Sequence, residues 1–203
     1  MKCIAVVGEK GGAGKTLLSH VICHGLGVAG VEAYHITTDQ RRQVMPADGR
    51  YYATLDGRDP ETLGRLIDRL SDRDGVMVLD GGGNRPRVDE ILSAAADLVL
   101  VPFQTSADDM RVAAADLDRL PAAVGIPTRW PNNRWEREVA QRVFAKYLGS
   151  YRSRIAAPVF AMAAFATLVE EGPPSPRING TCKQIALSVL EKLGLTLFDL
   201  RAA

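Results

Sequence analysis

The residues with the clearest chemical potential lie in a glycine-rich segment near the amino terminus, Gly8-Glu9-Lys10-Gly11-Gly12-Ala13-Gly14-Lys15-Thr16. Glycines let backbone N–H groups approach phosphate oxygens closely, and a helix beginning behind such a loop adds the positive end of its dipole. Lys15 can then reach β- and γ-phosphates, and the Thr16 hydroxyl can ligate Mg²⁺. The segment therefore predicts a nucleotide triphosphate site. Its predicted binding residues are Gly11, Gly12, Ala13, Gly14, Lys15, Thr16 and Leu17.

Two aspartates follow predicted strands farther along the chain. Asp80 ends the apolar run Val76–Leu79 and begins an Asp-Gly-Gly-Gly sequence. A carboxylate at a strand end beside a phosphate loop can hold Mg²⁺, and Gly83 can turn its N–H toward a γ-phosphate. Thr16 and Asp80 are thus the predicted metal ligands. Asp39 follows the second predicted strand, where it either caps a turn or orders a water for in-line attack on the γ-phosphate.

The phosphate loop departs from the common G-x-x-x-x-G-K-T pattern. Glu9 stands in the place of the first glycine, and a second lysine, Lys10, precedes Gly11. The string Lys-Gly-Gly-Ala-Gly-Lys-Thr is the deviant Walker A motif. From Lys2 to about Leu120 the chain resembles the ParA/MinD family of dimerising P-loop ATPases, and in particular small ParA-type partition proteins without an N-terminal helix-turn-helix domain. The resemblance implies that Lys10 crosses a dimer interface to the partner's phosphates, so Lys10 joins Lys15 and Asp39 as predicted catalytic residues.

The family pattern also raises questions that these residues leave open. ParA/MinD proteins usually have Asp-x-Asp where this chain has Thr37-Thr38-Asp39, so the rate of hydrolysis is open. Asn133 and Arg134 fall where the family often has an Asn-Arg pair near adenine, and either an adenine contact or a structural turn would explain them. Ala157-Pro158-Val159 is a further candidate for the lining of the same pocket.

Basic residues are concentrated between Arg129 and Arg154, where seven arginines and lysines face two glutamates. Such a stretch is either a solvated helix face or a surface for nucleic acid phosphates. The resemblance favours the second interpretation, because ParA-type ATPases bind nonspecific DNA as ATP dimers. The last predicted helix, Cys182–Leu193, has both acidic and basic residues on its polar face, so it is expected to pack against the sheet rather than bind a membrane.

These motifs require a scaffold that brings strand ends together. Short apolar runs alternate with amphipathic stretches, which predicts a single α/β domain over residues 1–203 with a doubly wound, mostly parallel sheet and helices on both faces. The predicted strands are Cys3–Val7, Glu32–Ile36, Val76–Leu79, Leu98–Val101, Val124–Thr128 and, weakly, Arg154–Ala157. The predicted helices are Lys15–Leu26, Glu61–Leu70, Val88–Ala95, Ala107–Leu120, Arg134–Leu148, Ala161–Glu170 and Cys182–Leu193. Residues 37–60 and 172–180 are predicted loops.

Composition excludes several other classes of protein. The 203 residues are 46% hydrophobic and 24% charged, with a formal net charge of +1, which excludes a disordered chain, a collagen and a membrane bundle. Three widely spaced cysteines are expected to be reduced thiols in a cytoplasmic protein.

Taken with the resemblance, the sequence predicts a Mg²⁺-dependent ATP hydrolase that dimerises on ATP, binds nonspecific DNA and is reset by slow, partner-stimulated hydrolysis. The expected partners are a second copy of the chain, nonspecific DNA and a cargo- or centromere-binding adaptor protein. The expected location is the cytoplasm, on the nucleoid when ATP is bound. The cargo would be plasmid or chromosomal DNA or another assembly. A MinD-like regulator at a membrane surface and a nucleotide-binding scaffold with low turnover are the alternatives.

Overall fold

A computed structural model describes residues 1–83 and 85–201, and within these ranges six strands form one sheet. The strands are β1 (Lys2–Val6), β2 (Ala33–Thr37), β3 (Ala53–Asp56), β4 (Val76–Asp80), β5 (Leu98–Phe103) and β6 (Val124–Pro127). Their order is β3-β2-β4-β1-β5-β6, and every neighbouring pair is parallel. Strand β1 therefore lies between β4 and β5, and the loops after these strands meet at the carboxyl edge of the sheet, where α/β sheets bind ligands.

Helices cover both faces of this sheet. They are α1 (Lys15–Val28), α2 (Pro60–Ser71), α3 (Pro86–Ala95), α4 (Ala107–Arg119), α5 (Arg134–Leu148), α6 (Asn179–Lys192) and α7 (Leu197–Arg201). Short 3-10 helices span Gly149–Arg154, Ala163–Leu168 and Pro176–Ile178. The Ser106 hydroxyl accepts a hydrogen bond from the N–H of Asp109 and caps α4, just before the predicted start of this helix at Ala107. None of the helices in the described part of the chain is both long and apolar enough to cross a bilayer.

The core has two layers because successive strand residues point to opposite faces. Ile4 and Val6 of β1 pack with α1 and α6, whereas Ala5 and Val7 pack in the layer covered by α2, α3, α4 and α5. The predicted α/β fold with helices on both faces is thus confirmed. Helix α6 approaches the backbone of α1 so closely that a Cβ on Gly25 would lie 2.0 Å from the carbonyl oxygen of Cys182.

Three local expectations were wrong. Strand β3 lies inside the predicted loop of residues 37–60; it is a half-exposed edge strand of four residues, too short for a clear alternating pattern. Arg154–Ala157 forms no strand, because the chain leaves a 3-10 helix there and makes only a single bridge from Ile155 to Gly125. The predicted helix Ala161–Glu170 is a 3-10 helix over Ala163–Leu168. Its backbone hydrogen bonds join residues three apart, from the N–H groups of Phe165 and Val169 to the carbonyls of Met162 and Ala166. The side chain of Arg50 donates to the carbonyls of Leu168 and Glu170 at its end.

Candidate nucleotide site

The phosphate loop leaves β1 at the carboxyl edge of the sheet and turns into α1. Gly14 immediately precedes α1 as its N-cap residue, and its φ of 97° lies in the left-handed region. Its carbonyl accepts the first helical hydrogen bond, from the N–H of Leu18 at 2.8 Å. A Cβ on Gly14 would also lie 3.2 Å from the hydroxyl of Thr128. Both the backbone conformation and the close neighbour therefore require glycine at this position.

Lys15 is buried inside the loop that precedes it. Its ammonium group donates hydrogen bonds of 2.8 Å to the carbonyls of Gly8 and Lys10. Burial lowers the pKa of Lys15, whereas the carboxylates of Asp89 and Asp80 act in the opposite direction. A cation held between two backbone carbonyls of the loop is positioned to bind the phosphates of a nucleotide.

Asp80, at the end of β4, is fully buried behind the loop. Its Oδ2 has no hydrogen-bond partner within the described residues. The Nε2 of buried His35 lies 3.8 Å away, but burial lowers the pKa of His35 to about 3, so this imidazole is neutral and does not compensate the carboxylate. Burial raises the pKa of Asp80 to about 7, although a hydrogen bond from Thr16 and the charge of Lys15 oppose this. An unpartnered buried carboxylate oxygen beside a threonine hydroxyl fits Mg²⁺, which prefers oxygen ligands.

No group of three or more His, Cys, Asp or Glu side chains in residues 1–83 and 85–201 could hold a metal ion. Thr16 and Asp80, the predicted metal ligands, would therefore make only part of a coordination shell. Mg²⁺ retains water molecules and binds to one or two protein ligands together with substrate phosphates, so a partial shell is what a Mg²⁺–nucleotide site requires.

The three predicted segments meet at this edge of the sheet. A Cβ on Gly83 would lie 3.3 Å from the Cα of Gly11, which places the Asp-Gly-Gly-Gly segment against the phosphate loop. A Cβ on Gly82 would lie 3.4 Å from the carboxyl carbon of Asp39. The Asp39 carboxylate also accepts a hydrogen bond from the N–H of Arg41 at 3.0 Å. Asp39 thus caps a turn and at the same time lies against the Asp-Gly-Gly-Gly segment.

Lys10 is directed toward helix α4 of its own chain. Its ammonium lies 2.6 Å from a carboxylate oxygen of Asp108, whose other oxygen bonds Arg111. The hydrogen bond and the charge of Asp108 raise the pKa of Lys10. This pair is exposed, so its lysine is free to exchange one anionic partner for another.

A cavity of about 820 Å³ adjoins these residues, a volume within the range of small-molecule sites. One side, here called the phosphate side, is formed by Gly11, Gly12, Gly14, Lys15, Thr16, Asp39, Gly81 and Gly83. The opposite side, here called the wall side, is formed by Thr128, Arg129, Val159–Ala163, Phe165, Ala166 and Val169. Leu17, Leu18 and Val21 of α1 and the side chains of Arg41 and Arg42 complete the lining.

Not every predicted binding residue lines this cavity. Ala13 is buried and uses its carbonyl to accept a hydrogen bond of 2.7 Å from the Thr128 hydroxyl. Asn133 caps α5 by accepting from the N–H of Trp135 at 2.8 Å. Arg134 pairs with Glu138, and its side chain is 89% exposed. Asn133 therefore has a structural role as the cap of α5, whereas Arg134 is a surface residue. Their contact with adenine stays a prediction.

Most of the wall side was not predicted from the sequence. Of the expected pocket residues Ala157-Pro158-Val159, Val159 lines the cavity and the other two do not, and Thr128, Arg129 and Phe165 come from separate segments with no common spacing. Arg129 has a left-handed φ of 48° at the point where a short ladder joins Trp130 to Val159 and Ala161. Arg41 and Arg42, which also line the cavity, could have been predicted from the sequence, because two adjacent cations follow Asp39 closely.

The basic stretch of the second half separates into two groups. Arg154 donates to the carbonyls of Leu120 and Ala123, so it has a structural role, and Arg129 lines the cavity. Arg137 is half-buried and belongs to neither group. The exposed cations, here called the α5 basic surface, are Arg134, Arg142 and Lys146 on α5 and Arg152 in the 3-10 helix that follows it. Trp135, with 69% of its surface exposed, also lies on α5.

Comparison of the sequence with protein-family models and with curated proteins finds no match. Solved structures are similar over nearly the whole chain. The ATP complex of an McdA variant from Cyanothece matches with a TM-score of 0.68 at 15% identity, covering 97% of each chain. The cell division ATPase MinD from Pyrococcus furiosus matches with a TM-score of 0.71 at 13% identity, covering 94% of this chain and 98% of that one.

A ParA protein, that of pNOB8, was solved bound to nonspecific DNA. It matches with a TM-score of 0.69 at 12% identity, covering 95% of this chain and 98% of that one. At such identities the likeness concerns the arrangement of the backbone rather than the side chains. The chain therefore has, over nearly its whole length, the α/β P-loop fold of the McdA, MinD and ParA proteins.

Proposed function

We propose that this chain is a Mg²⁺-dependent ATP hydrolase of the ParA/MinD family. The observation that carries the proposal is the meeting of three segments at one cavity: the phosphate loop, the turn with Asp39 and the segment after Asp80. The fold shared with an ATP complex of McdA supports it. Bound Mg²⁺ would offset the charge of the β- and γ-phosphates. Thr16 and Asp80 would hold it on the protein side.

The chain's own groups have distinct parts in this function. Backbone N–H groups of residues 11–16 bind phosphate oxygens, and Lys15 exchanges its two carbonyl partners for them. Asp39 orients the attacking water. The buried side chain of Thr37, in the place of the family's first aspartate, leaves Asp39 without a second carboxylate at that position, so hydrolysis is slow. An adaptor protein bound to the cargo would stimulate it.

The predicted ATP-dependent dimer requires Lys10 to change partners. In the single chain its ammonium is bound to Asp108, and exposed ion pairs of this kind are weak. The phosphates of a nucleotide in a second copy of the chain would compete well for this cation. We expect Lys10→Ala to bind ATP with an affinity close to that of the wild type but to form no ATP-dependent dimer in analytical ultracentrifugation. A dimer that persists in this variant would contradict the assignment of Lys10.

The proposed macromolecular ligand is nonspecific DNA, to which the ParA protein of pNOB8 is bound in its solved structure. In this chain the α5 basic surface is the candidate contact because its four cations are exposed. DNA binding would place the ATP form on the nucleoid of the cytoplasm. Cycles of binding and hydrolysis would segregate or position plasmid DNA, chromosomal DNA or another cargo.

The first experiment measures binding to a nonspecific DNA duplex with ATP–Mg²⁺ and with ADP–Mg²⁺, each at two salt concentrations. ATP-selective binding that weakens steeply with salt is the expected result, because phosphate contacts release counterions. Arg142→Ala with Lys146→Ala should lower the salt slope, by about one for each lost contact. Arg154→Gln is not a matched control, since Arg154 holds backbone carbonyls; Lys183→Ala on α6 is the better comparison.

A nucleotide-binding scaffold with low turnover is the second candidate, and Thr37 is the observation that favours it. Phosphate release with ATP, Mg²⁺ and DNA distinguishes the two. Release above the background of Asp39→Ala supports the hydrolase, and its absence supports the scaffold. If no DNA binds in either nucleotide state, cosedimentation with anionic lipid vesicles tests the MinD-like alternative.

A further inference from the structure

The phosphate loop is supported from outside by two buried carboxylates that the proposed reaction does not use. The N–H of Gly8 donates to Oδ2 of Asp89 at 3.3 Å, and the N–H of Glu9 donates to Oδ2 of Asp116 at 2.9 Å. Asp89 lies on α3 and Asp116 on α4, and their exposed fractions are 0% and 2%. The start of the loop is therefore held between two helices of one face of the sheet.

This support stands where the chain departs from the common phosphate loop. Glu9 occupies the place of the usual first glycine, and the positive φ of 139° occurs one residue earlier, at Gly8. A Cβ on Gly8 would lie 3.2 Å from Oδ2 of Asp116. The carboxylates thus fix the direction of two successive N–H groups, those of Gly8 and Glu9. Glu9 lacks the conformational freedom of the glycine that the common loop has at this position.

Asp89 also faces the segment that follows the predicted metal ligand. Its second oxygen, Oδ1, has no hydrogen-bond partner within the described residues, and a Cβ on Gly81 would lie 3.4 Å from it. One carboxylate therefore stands between Gly8 of the phosphate loop and Gly81, the residue after Asp80.

A single arginine connects the two carboxylates. The guanidinium of Arg119 donates to Oδ1 of Asp116 at 2.7 Å and lies 3.7 Å from Oδ2 of Asp89. It also donates to the carbonyl of Pro86, at the first residue of α3, at 3.1 Å. Glu90 approaches it at 3.6 Å. Arg119 thereby compensates the buried negative charge and fastens α4 to the start of α3.

We infer that Asp89, Asp116 and Arg119, together called the loop brace, are positioning residues that hold the phosphate loop in its nucleotide-binding shape and connect it to Gly81–Gly83. The inference rests on the proposed ATP site. Loss of a carboxylate frees the N–H of Gly8 or Glu9 to turn, and the loop then samples shapes in which its later N–H groups no longer converge on phosphate. The two carboxylates also face Lys15 and stabilise its charged form.

The test compares Asp116→Leu and Asp116→Asn with a control at the other end of β1. Asp97 is the control, because its carboxylate accepts the N–H of Cys3 at 2.8 Å, as Asp116 accepts that of Glu9, but far from the loop. The affinity for ATP–Mg²⁺ is measured by calorimetry and the Tm by thermal unfolding. Asp116→Leu is expected to bind about tenfold more weakly, and Asp116→Asn, which keeps an acceptor, about threefold. Asp97→Leu should lower the Tm and leave the affinity within about twofold.

Arg119→Lys keeps the positive charge but not the two-pronged guanidinium, and it covers the case in which Asp116→Leu does not fold. For this variant we expect a raised KM for ATP and a nearly unchanged kcat. Wild-type affinity and KM in all the brace variants would overturn this inference alone, as would an equal loss of affinity in Asp97→Leu. A wild-type chain that binds no ATP would overturn the proposed function and this inference with it.

Discussion

The two sides of the cavity are built by different means. The phosphate side takes most of its residues from one continuous loop, and two turns at neighbouring strand ends add the rest. The wall side takes its residues from the end of β6, a two-bond ladder and a 3-10 helix, which are separate segments of the chain. Phosphate can be recognised by a short stretch of backbone because its oxygens need only converging N–H groups. A surface for the remainder of a ligand has to be assembled from distant parts of the chain.

The part of the wall side around Val169 is held in place by Arg50, which lies in the loop between β2 and β3. Its guanidinium donates to the carbonyls of Leu168 and Glu170 and to the hydroxyl of Tyr52. The phosphate side, in contrast, is held by groups packed directly around the loop. Substitutions on the two sides should therefore differ in what they change: affinity for phosphate on one, fit to the rest of the ligand on the other.

The largest effect is expected for Lys15→Ala on the phosphate side. The variant loses the only buried cation that the described residues place inside the loop, so the affinity for ATP–Mg²⁺ should fall by at least about 100-fold. Calorimetry measures the change, with Lys192→Ala on α6 as the control. Tight ATP binding by Lys15→Ala would contradict the conclusion that the phosphate side provides the affinity for phosphate.

Asp80→Asn should separate stability from metal-dependent binding. The folded pKa of Asp80 is raised by burial to about 7, so between about pH 4 and 7 the folded state keeps a proton that the unfolded chain releases. Stability is therefore lost as pH rises through this range. At pH 8 without metal the variant should gain about 2–4 kcal/mol in free energy of unfolding, measured in urea, while Mg²⁺-dependent ATP binding weakens.

Asp97→Asn is the control for that experiment because it should behave in the opposite way. Burial raises the pKa of Asp97, but hydrogen bonds from the Cys3 N–H and from Lys2 outweigh burial, and the folded pKa is lowered. Its contribution to stability is present at neutral pH and is lost as pH falls. A loss of stability in Asp80→Asn at pH 8 would contradict the burial argument.

Gly14→Ala should destabilise the fold by about 1–3 kcal/mol. The left-handed φ of 97° strains a residue with a Cβ, and the added atom would crowd the hydroxyl of Thr128. Gly149→Ala is the matched control, since Gly149 has a helical φ of −58° and nothing within 4 Å of the added Cβ. Urea unfolding should show that variant to be neutral or slightly stabilised, and equal losses in both would contradict the reason given for Gly14.

The smallest effect is expected for Phe160→Ala on the wall side. The ring is 41% exposed at the cavity, so its removal should change the Tm little and weaken ATP binding about threefold. Binding of inorganic pyrophosphate, which lacks a base, should be unchanged in this variant. If pyrophosphate binding weakens as much as ATP binding, the two sides do not divide the ligand as described.

The sequence predictions were correct around the phosphate side and wrong for several elements elsewhere. The strand, loop and helix around Lys15 were placed correctly because a buried parallel strand and a glycine loop each leave a local pattern. Strand β3 and the 3-10 helix Ala163–Leu168 were not, because an edge strand of four residues has little periodicity and the end of the 3-10 helix is bound by Arg50, more than a hundred residues away. The loop brace was missed for a similar reason, since Asp89, Asp116 and Arg119 look like ordinary helix surface residues in the sequence.

The sequence by itself determined the α/β fold class, the phosphate loop and its two acidic neighbours. These depend on hydrophobic alternation and on short motifs whose chemistry is contained in a few consecutive residues. Only the tertiary structure decided which side chains form the wall side, which basic residues are exposed, and which group Lys10 contacts. Those outcomes depend on contacts between segments far apart in the chain, and such contacts form only when burial, charge pairing and backbone hydrogen bonding are satisfied together.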